Sequence, residues 1–443
     1  MKVMSQSDAE AIERISVQIA HEKQYGIHTG ADRLQKSGES PIASLVNHLL
    51  TEAIEARASD IHLEPQADML RVRFRIDGTL STRHGLSMAV HAFLVSKLKI
   101  LSGLDIAEKR LPQDGRFIFR EQEAPIDIRV AVMPQQYGEK MVLRLLDPAN
   151  RFLHMDELGF SRENKRIFQK LCQRPYGMVL NTGPVNSGKT TTLYAALQEL
   201  NQESKNIITL EDPIEYVLPG INQIPVSEKG KLTFSSGMRS VLRQDPDIIM
   251  LGEIRDQETA KTAVQAALTG HLVFSTLHTN GAVASLFRLL EMGVEPYLLA
   301  ASLQGVLAQR LVRRLCPECR EKEMIKKGSG EGLFFNRIGR EPPAGIFHPT
   351  GCSACNGSGY KGRIPLHEIL VMDDKLRFQM QQATDIVSLR RAAGYTMQSM
   401  EKDAGEKIAA GETSWEEVAK ILYEDVITGN GSRENRSFFS NSC

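Results

Sequence analysis

The chain has 443 residues, which is long enough for two to four domains. Lysine plus arginine and aspartate plus glutamate each number 54, so no basic excess favours a nucleic-acid-binding protein. The polar N-terminus excludes a secretory signal, and no apolar run is long enough for a membrane helix. We therefore expect a cytoplasmic globular protein that contacts a membrane only through a partner.

Residues 1–40 predict an amphipathic helix over 9–20 and a polar linker. Residues 41–148 predict a small α+β domain, which begins with a helix capped by Ser40. Two strands then meet at an Asp77-Gly78 hairpin turn, and three arginines alternate with apolar residues along the second strand, so they share one sheet face. A helix over 91–101 and strands around 116–119, 126–133 and 141–145 follow. Arg129 and Arg144 lie in the last two strands, either as solvated residues or as functional groups.

Residues 183–190 read GPVNSGKT and match G-x-x-x-x-G-K-[ST], the phosphate-binding loop. An apolar strand precedes them and a helical pattern follows, the context that this loop requires. Lys189 is expected to reach the β- and γ-phosphates of ATP, and the Thr190 hydroxyl to ligate Mg²⁺. The predicted nucleotide contacts are Gly183, Pro184, Val185, Asn186, Ser187, Gly188, Lys189, Thr190 and Thr191.

Residues 149–315 alternate strands and helices, which is typical of a parallel sheet. One apolar strand ends in Glu211, and His278 follows another. A third strand, which Asp247 precedes, ends in Gly252-Glu253 and matches a Walker B strand, so Glu253 is the candidate for polarising the attacking water. Asp247 is a weaker candidate. A helix over 235–245 is expected to carry Arg239 and Arg243, four apart on one face.

Two C-x-x-C pairs, Cys316/Cys319 and Cys352/Cys355, are separated by 32 residues. Four thiolates favour Zn²⁺ in a closed, structural site; four ordinary buried cysteines are the alternative. Residues 316–365 are therefore predicted to be a metal module with a loop-rich excursion between the pairs. From Pro365 the chain is predicted to be helical to 428, with a capped helix at 413–418, and 429–443 to be a disordered tail.

In order along the chain stand ASDIHLEP, LDIAEKRLPQDGR, GPVNSGKTTTLYAAL, TLEDPIEY, RQDPDIIMLGEIRD, TGHLVFSTLHTN and the paired C-x-x-C units. Together these blocks resemble the secretion ATPases of type II secretion systems and type IV pilus assembly over about residues 59–418. The resemblance implies an α/β fold: a RecA-like P-loop ATPase core preceded by the small α+β, PAS-like domain and followed by the tetracysteine module and the helical region.

The resemblance also assigns roles. It implies an Asp box (Glu211, Asp212, Glu215), the Walker B Glu253, a His box (His271, His278), nucleotide-reaching arginines of the small domain (Arg129, Arg144) and further arginines of the core and metal-module regions (Arg239, Arg243, Arg363). It further implies a homo-hexamer on the cytoplasmic face of the inner membrane. There the ring uses ATP and Mg²⁺, binds a polytopic platform protein and a cytoplasmic recruiting protein, and drives pilus or pseudopilus assembly.

Three features depart from the family pattern. Val185-Asn186 and Thr190 replace the usual Thr-Gly and Ser, the region before residue 40 is short, and Asn280-Gly281 stands where Asn-Asp is frequent. This last difference leaves open how the local structure is capped. The alternatives are a pilus retraction motor, whose relatives generally lack the C-x-x-C pairs, a DNA-translocating or conjugation-type ATPase, and a non-catalytic nucleotide-binding scaffold.

Overall fold

The computed structural model of the chain describes residues 40–120, 125–146, 154–227, 232–382, 386–394 and 397–423. It divides into two compact units, Met1–Arg151 and Phe152–Cys443. The helix predicted over 9–20 and the predicted tail fall outside the described residues. Within the described ranges, no helix combines the length and apolar composition that crossing a bilayer requires.

The first unit is a six-stranded antiparallel sheet in the order β3-β2-β1-β6-β5-β4, with two helices against one face. Its elements are α1 (Pro41–Glu55), β1 (Ala58–Pro65), β2 (Met69–Ile76), β3 (Thr79–Ser87), α2 (Met88–Leu101), β4 (Gln113–Phe119), β5 (Ile126–Gln135) and β6 (Gly138–Leu146). The Ser40 cap of α1 and the strands predicted by alternation are confirmed. Asp77 and Gly78 both have positive φ, as a type I′ hairpin turn requires.

The alternation of β2 has the predicted consequence for its two faces. Leu70, Val72 and Phe74 are buried under the helices. Arg71 and Arg73 instead lie on the opposite face and form ion pairs with Glu64 of β1 at 3.0 and 2.8 Å. The arginine face is therefore a network of charges rather than a row of isolated cations.

The second unit is built on an eight-stranded sheet in the order β16-β15-β12-β7-β11-β10-β8-β9. Its strands are β7 (Gly177–Thr182), β8 (Ile207–Glu211), β9 (Asn222–Pro225), β10 (Ile248–Leu251), β11 (Leu272–Leu277), β12 (Leu303–Leu315), β15 (Tyr360–Val371) and β16 (Met397–Gln398), and β13 (Glu321–Met324) pairs with β14 (Gly345–His348) apart from it. Its helices are α3 (Arg162–Cys172), α4 (Lys189–Leu200), α5 (Phe234–Val241), α6 (Gln257–Leu268), α7 (Ala282–Glu291), α8 (Pro296–Ser302), α9 (Gly330–Arg337), α10 (Asp374–Gln382), α11 (Ile386–Ala393), α12 (Met400–Ala409) and α13 (Trp415–Leu422).

The central strands of this sheet run parallel, as predicted. β7 pairs with β11, β11 with β10, and β10 with β8, all in parallel register. Every residue of β7 and β11 is buried, which explains their nearly continuous apolar sequence. Because parallel strands end at one edge, the segments that follow β7, β8, β10 and β11 emerge side by side.

Two predictions about the C-terminal third were wrong. Residues 360–371 form β15, antiparallel to β12, where helix was expected from Pro365 onward. The excursion between the cysteine pairs was expected to be loop-rich. It contains β13, α9 and β14, and α9 buries Phe334 and Phe335 completely or nearly so. Tertiary packing of two side chains of this size holds a short helix against the core even where glycines and prolines surround it.

Candidate nucleotide site and metal centre

The phosphate-binding loop joins β7 to α4, as the motif predicts. Its turn is made by Gly183, Asn186 and Gly188, which all have positive φ. Asn186 has φ 63°, and asparagine tolerates this left-handed conformation better than most residues. The replacement of the usual glycine is therefore compatible with the loop shape. Thr190 and Thr191 lie in the first turn of α4, half-buried beside the loop.

Lys189 folds back over its own loop. Its ammonium group donates hydrogen bonds to the carbonyl oxygens of Gly183 at 2.8 Å and Pro184 at 2.9 Å. Burial lowers the pKa of Lys189 to about 8; nearby Glu253 opposes this shift and Arg310 adds to it. The lysine is thus held where phosphate oxygens would enter.

Gln309 of β12 hydrogen-bonds to both the phosphate-binding loop and α4, a role that was not predicted from the sequence. Its Nε2 donates to the Ser187 carbonyl at 2.8 Å, and its Oε1 accepts from the Thr192 hydroxyl at 2.9 Å. A Cβ atom on Gly188 would lie 2.7 Å from Gln309 Nε2. Together with the left-handed backbone of Gly188, φ 86°, this close approach favours glycine at position 188. The sequence does not single out Gln309, because the same strand also carries Gln304 and three arginines.

Glu253 and His278 meet at the edge of the sheet, although they follow different strands. His278 Nε2 lies 3.3 Å from Glu253 Oε2, and Arg255 forms an ion pair with the other carboxylate oxygen. The Glu253 side chain is 14% exposed, while His278 is half exposed. The geometry thus places a carboxylate and an imidazole together at the edge of the sheet from which the phosphate-binding loop also emerges, and Glu253 raises the pKa of Lys189 against the effect of burial.

Glu211 lies at the end of β8, and its carboxylate accepts hydrogen bonds from three neighbouring side chains. It accepts hydrogen bonds from Tyr194, from Thr209 at 2.6 Å and from Gln223 at 3.0 Å. Burial, and then Glu211 itself, raise the pKa of the Tyr194 hydroxyl, so this phenol stays protonated. The structure therefore gives Glu211 a place in a buried hydrogen-bonded cluster that joins β8 to α4.

The other acidic and histidine candidates are dispersed. Asp212 and Glu215 are exposed. Asp247 lies at the amino end of β10, away from the loop edge, and accepts from the Asn206 backbone at 2.7 Å. His271 Nδ1 is hydrogen-bonded at 3.0 Å to the Ala266 carbonyl near the end of α6.

The core arginines differ from their prediction. The helix expected over 235–245 is α5, which ends at Val241, so Arg239 is helical and Arg243 is not. Arg239 pairs with Glu258, and Arg243 donates to the Arg239 carbonyl at 2.7 Å. Arg363 is exposed on β15, opposite Arg313 of β12.

The arginines of the first unit form a row across three strands. Arg116 of β4 is opposite Arg129 of β5, which is opposite Arg144 of β6. All three line one groove of the sheet. Arg144 is about half exposed and pairs with Asp60 at 3.1 Å. Guanidinium groups directly opposite one another repel, so the groove favours an anion.

The four cysteines of the C-x-x-C pairs converge, with their sulfur atoms all within 4.8 Å of one another. The Sγ–Sγ distances are 3.9 Å for Cys316–Cys352 and 3.8 Å for both Cys319–Cys355 and Cys352–Cys355. Ligands about 2.3 Å from a tetrahedral zinc lie about 3.8 Å apart, whereas a disulfide needs about 2 Å. The spacing therefore fits a zinc site, despite the long gap in sequence.

Two backbone N–H groups favour the thiolate form of Cys355, whereas burial raises the pKa of Cys316 to about 11. Burial raises the pKa of Cys355, but the N–H groups of Cys352 and Gly359 outweigh it and bring that pKa down to about 6. Both N–H groups lie 3.2 Å from the Cys355 sulfur. Charge-stabilising N–H donors of this kind are the outer shell of a metal–thiolate site.

Comparison with known proteins agrees with this architecture. The sequence profile of the type II/IV secretion system protein family matches residues 35–420. The chain is 48% identical over 394 residues to type II secretion system protein E of Dickeya dadantii, covering 89% of this chain and 78% of that protein. It is 46% identical over 393 residues to type II secretion system ATPase E of Vibrio cholerae, with the same coverage of both chains.

Two solved structures share the fold. The pilus retraction motor PilT with bound ADP has a TM-score of 0.56 and 27% identity, covering 84% of this chain and 95% of that one. The ATPase DotB of Legionella pneumophila has a TM-score of 0.63 and 21% identity, covering 86% and 96%. With the phosphate-binding loop, the Walker B strand and the tetracysteine cluster in place, the chain belongs to the type II/IV secretion system protein family, and it is an ATPase.

Proposed function

We propose that the chain is the ATP-hydrolysing motor of a type II secretion system, in which it drives assembly of a pseudopilus. The observation that carries the proposal is that the phosphate-binding loop, His278 and Glu253 follow the neighbouring parallel strands β7, β11 and β10 at one edge of the sheet, with His278 3.3 Å from Glu253. The sequence relatives described above are secretion proteins at 46% and 48% identity, whereas the retraction motor is 27% identical.

The residues of the site divide the chemistry of hydrolysis. Lys189 exchanges its two loop carbonyls for the phosphate oxygens of ATP, and the loop N–H groups bind the same oxygens. The Thr190 hydroxyl would hold Mg²⁺, which would supply neutralisation of the phosphate charge. Glu253 orients and polarises the attacking water, with its carboxylate held by Arg255 and His278. Glu211 fixes the adjacent strand end through its hydrogen bond with a tyrosine of α4.

The arginines that line the groove of the first unit are proposed to reach the nucleotide only when that unit moves. Arg129 and Arg144 are proposed to reach the γ-phosphate when the two units close, and Arg239, Arg243 and Arg363 to contribute at a subunit interface of the ring. Arginines that arrive only on closure stabilise the transition state and couple hydrolysis to movement.

The proposed assembly is a homo-hexamer on the cytoplasmic face of the inner membrane. A membrane platform protein and a cytoplasmic recruiting protein are its expected partners. Zn²⁺ held by Cys316, Cys319, Cys352 and Cys355 stabilises the module that follows β12. The zero net charge offers no support for a DNA translocase.

The experiment is a gene deletion complemented by the wild-type chain or by Lys189→Ala. We expect the deletion to remove a set of proteins from the culture medium, and only the wild type to restore them. Loss of retraction with an excess of surface pili would instead identify a retraction motor. Stimulation of the purified ATPase by DNA would support a translocase and contradict the proposal.

A further inference from the structure

The loop that carries His278 leads directly into α7, and the residue that precedes this helix supplies no side-chain cap. The residue before Ala282 is Gly281, which has extended backbone angles, φ −175° and ψ 170°. The first N–H groups of a helix need acceptors, which serine, threonine, aspartate or asparagine at this position usually provide. Glycine has no side chain to provide one, so the acceptor has to come from elsewhere in the fold.

Glu368 of β15 provides an acceptor from a distant part of the chain. Its Oε1 accepts a hydrogen bond from the Ala282 backbone N–H at 2.7 Å. A Cβ atom built on Gly281 would lie 3.2 Å from the same oxygen. The glutamate carboxylate therefore occupies the space that a local capping side chain would use.

The sheet register explains why Glu368 reaches this helix. Glu368 is opposite Ala308 of β12, and Ala308 is opposite Thr182, the last residue of the phosphate-loop strand β7. Residues in register point to the same face of a sheet, so Glu368 and Thr182 both face α7. Thr182 in turn accepts a hydrogen bond from the Thr279 backbone N–H at 3.1 Å.

The loop is thus held on both sides of Asn280. Thr182 binds Thr279 on one side, and Glu368 binds the first residue of α7 on the other. Between them, Arg310 donates to both oxygen atoms of Asn280, each at 3.1 Å. With the loop held in this way, His278 Nε2 lies 3.3 Å from the Glu253 carboxylate. A loop released at the helix end loses one of the constraints that keep the imidazole beside the carboxylate.

We propose that Glu368 is a positioning residue for ATP hydrolysis: it caps α7 in place of residue 281 and thereby fixes His278 against Glu253. This inference rests on the proposed role of Glu253 and His278 in hydrolysis. Glu368 hydrogen-bonds to the first residue of α7 rather than to the phosphate-binding loop, so we expect its loss to lower turnover and to leave nucleotide binding intact.

The test is a double-mutant cycle in the full chain, measuring kcat, KM for ATP and melting temperature. We expect Glu368→Ala to lower kcat about tenfold, the size of a lost helix cap, with KM within about twofold. Gly281→Asp alone also lowers kcat, because two carboxylates then compete for one helix end. The two changes combined are expected to restore kcat to within about threefold of wild type, since the carboxylate introduced by Gly281→Asp then replaces the lost acceptor.

Glu368→Gln keeps the acceptor oxygen and is the conservative control, expected to retain at least about half of kcat. Wild-type kcat in Glu368→Ala, or no restoration by Gly281→Asp, overturns the inference. If Glu368→Ala and the double variant melt at the same lowered temperature but only the double variant regains kcat, the loss of turnover does not come from lost stability. That result supports the positioning role of Glu368. Full turnover in Glu253→Gln would instead overturn the proposed function, so the two failures are distinguishable.

Discussion

At the scale of single residues, the pKa of Lys189 makes nucleotide binding depend on pH. Burial lowers this pKa to about 8, so the free protein loses the ammonium charge as the pH rises through 8. Phosphate binding favours the charged form, and affinity is therefore full below pH 8 and falls above it. We expect calorimetry with a non-hydrolysable ATP analogue to show roughly thirtyfold weaker binding at about pH 9.5 than at about pH 7.

Lys189→Arg is the matched control, because a guanidinium stays charged over this range. Its affinity is expected to be independent of pH between about 7 and 9.5, whatever its absolute value. Equal affinity of the wild type at both ends of the range would show that the lysine charge does not limit binding.

The sequence was informative about residues whose role follows from a local motif. Gly183, Asn186 and Lys189 are where the phosphate-loop pattern places them. Gln309 and Glu368 were not predicted, because their partners lie 122 and 86 residues away along the chain. Only the sheet register brings them to the loop and to α7, and no single-sequence pattern encodes register across β12.

At the scale of elements, the tetracysteine module predicts a structural metal. We expect one Zn²⁺ per chain, lost in Cys352→Ser together with a fall in melting temperature on the order of 10 °C. Metal analysis and thermal melting of the purified chain measure both quantities. Cys172→Ala is the control, since this thiol is buried outside the cluster and the change is expected to leave zinc content unchanged. A zinc-free chain that melts like the wild type would contradict a structural role.

β15 shows why the C-terminal elements were harder to predict. Helix was predicted from Pro365 onward, yet Pro365 lies inside the strand opposite Leu311. Its carbonyl accepts from Lys407 of α12 rather than from β12, so its nitrogen also points away from β12. Proline is tolerated where the ladder needs no N–H. A helix covering that edge is a tertiary feature, and the local sequence gives no sign of it.

At the scale of the whole molecule, the arginine groove predicts coupling between the two units. We expect Arg144→Ala to lower kcat for ATP by on the order of 10³, with nucleotide binding retained, if this side chain acts like other arginine fingers. Arg120→Ala removes an exposed arginine just after β4 and is expected to leave turnover unchanged. Equal kcat values in Arg144→Ala and Arg120→Ala would show that Arg144 acts only as an ion-pair partner for Asp60.

We propose that this chain hydrolyses ATP at the edge of the parallel sheet where Glu253 follows β10 and the phosphate-binding loop follows β7. The most direct measurement is phosphate release by purified Glu253→Gln, with analogue binding measured on the same sample. We expect binding equal to wild type and a rate lower by about 10²–10⁴, the contribution of a positioned general base. Turnover near the wild-type rate, with binding intact, would contradict the account.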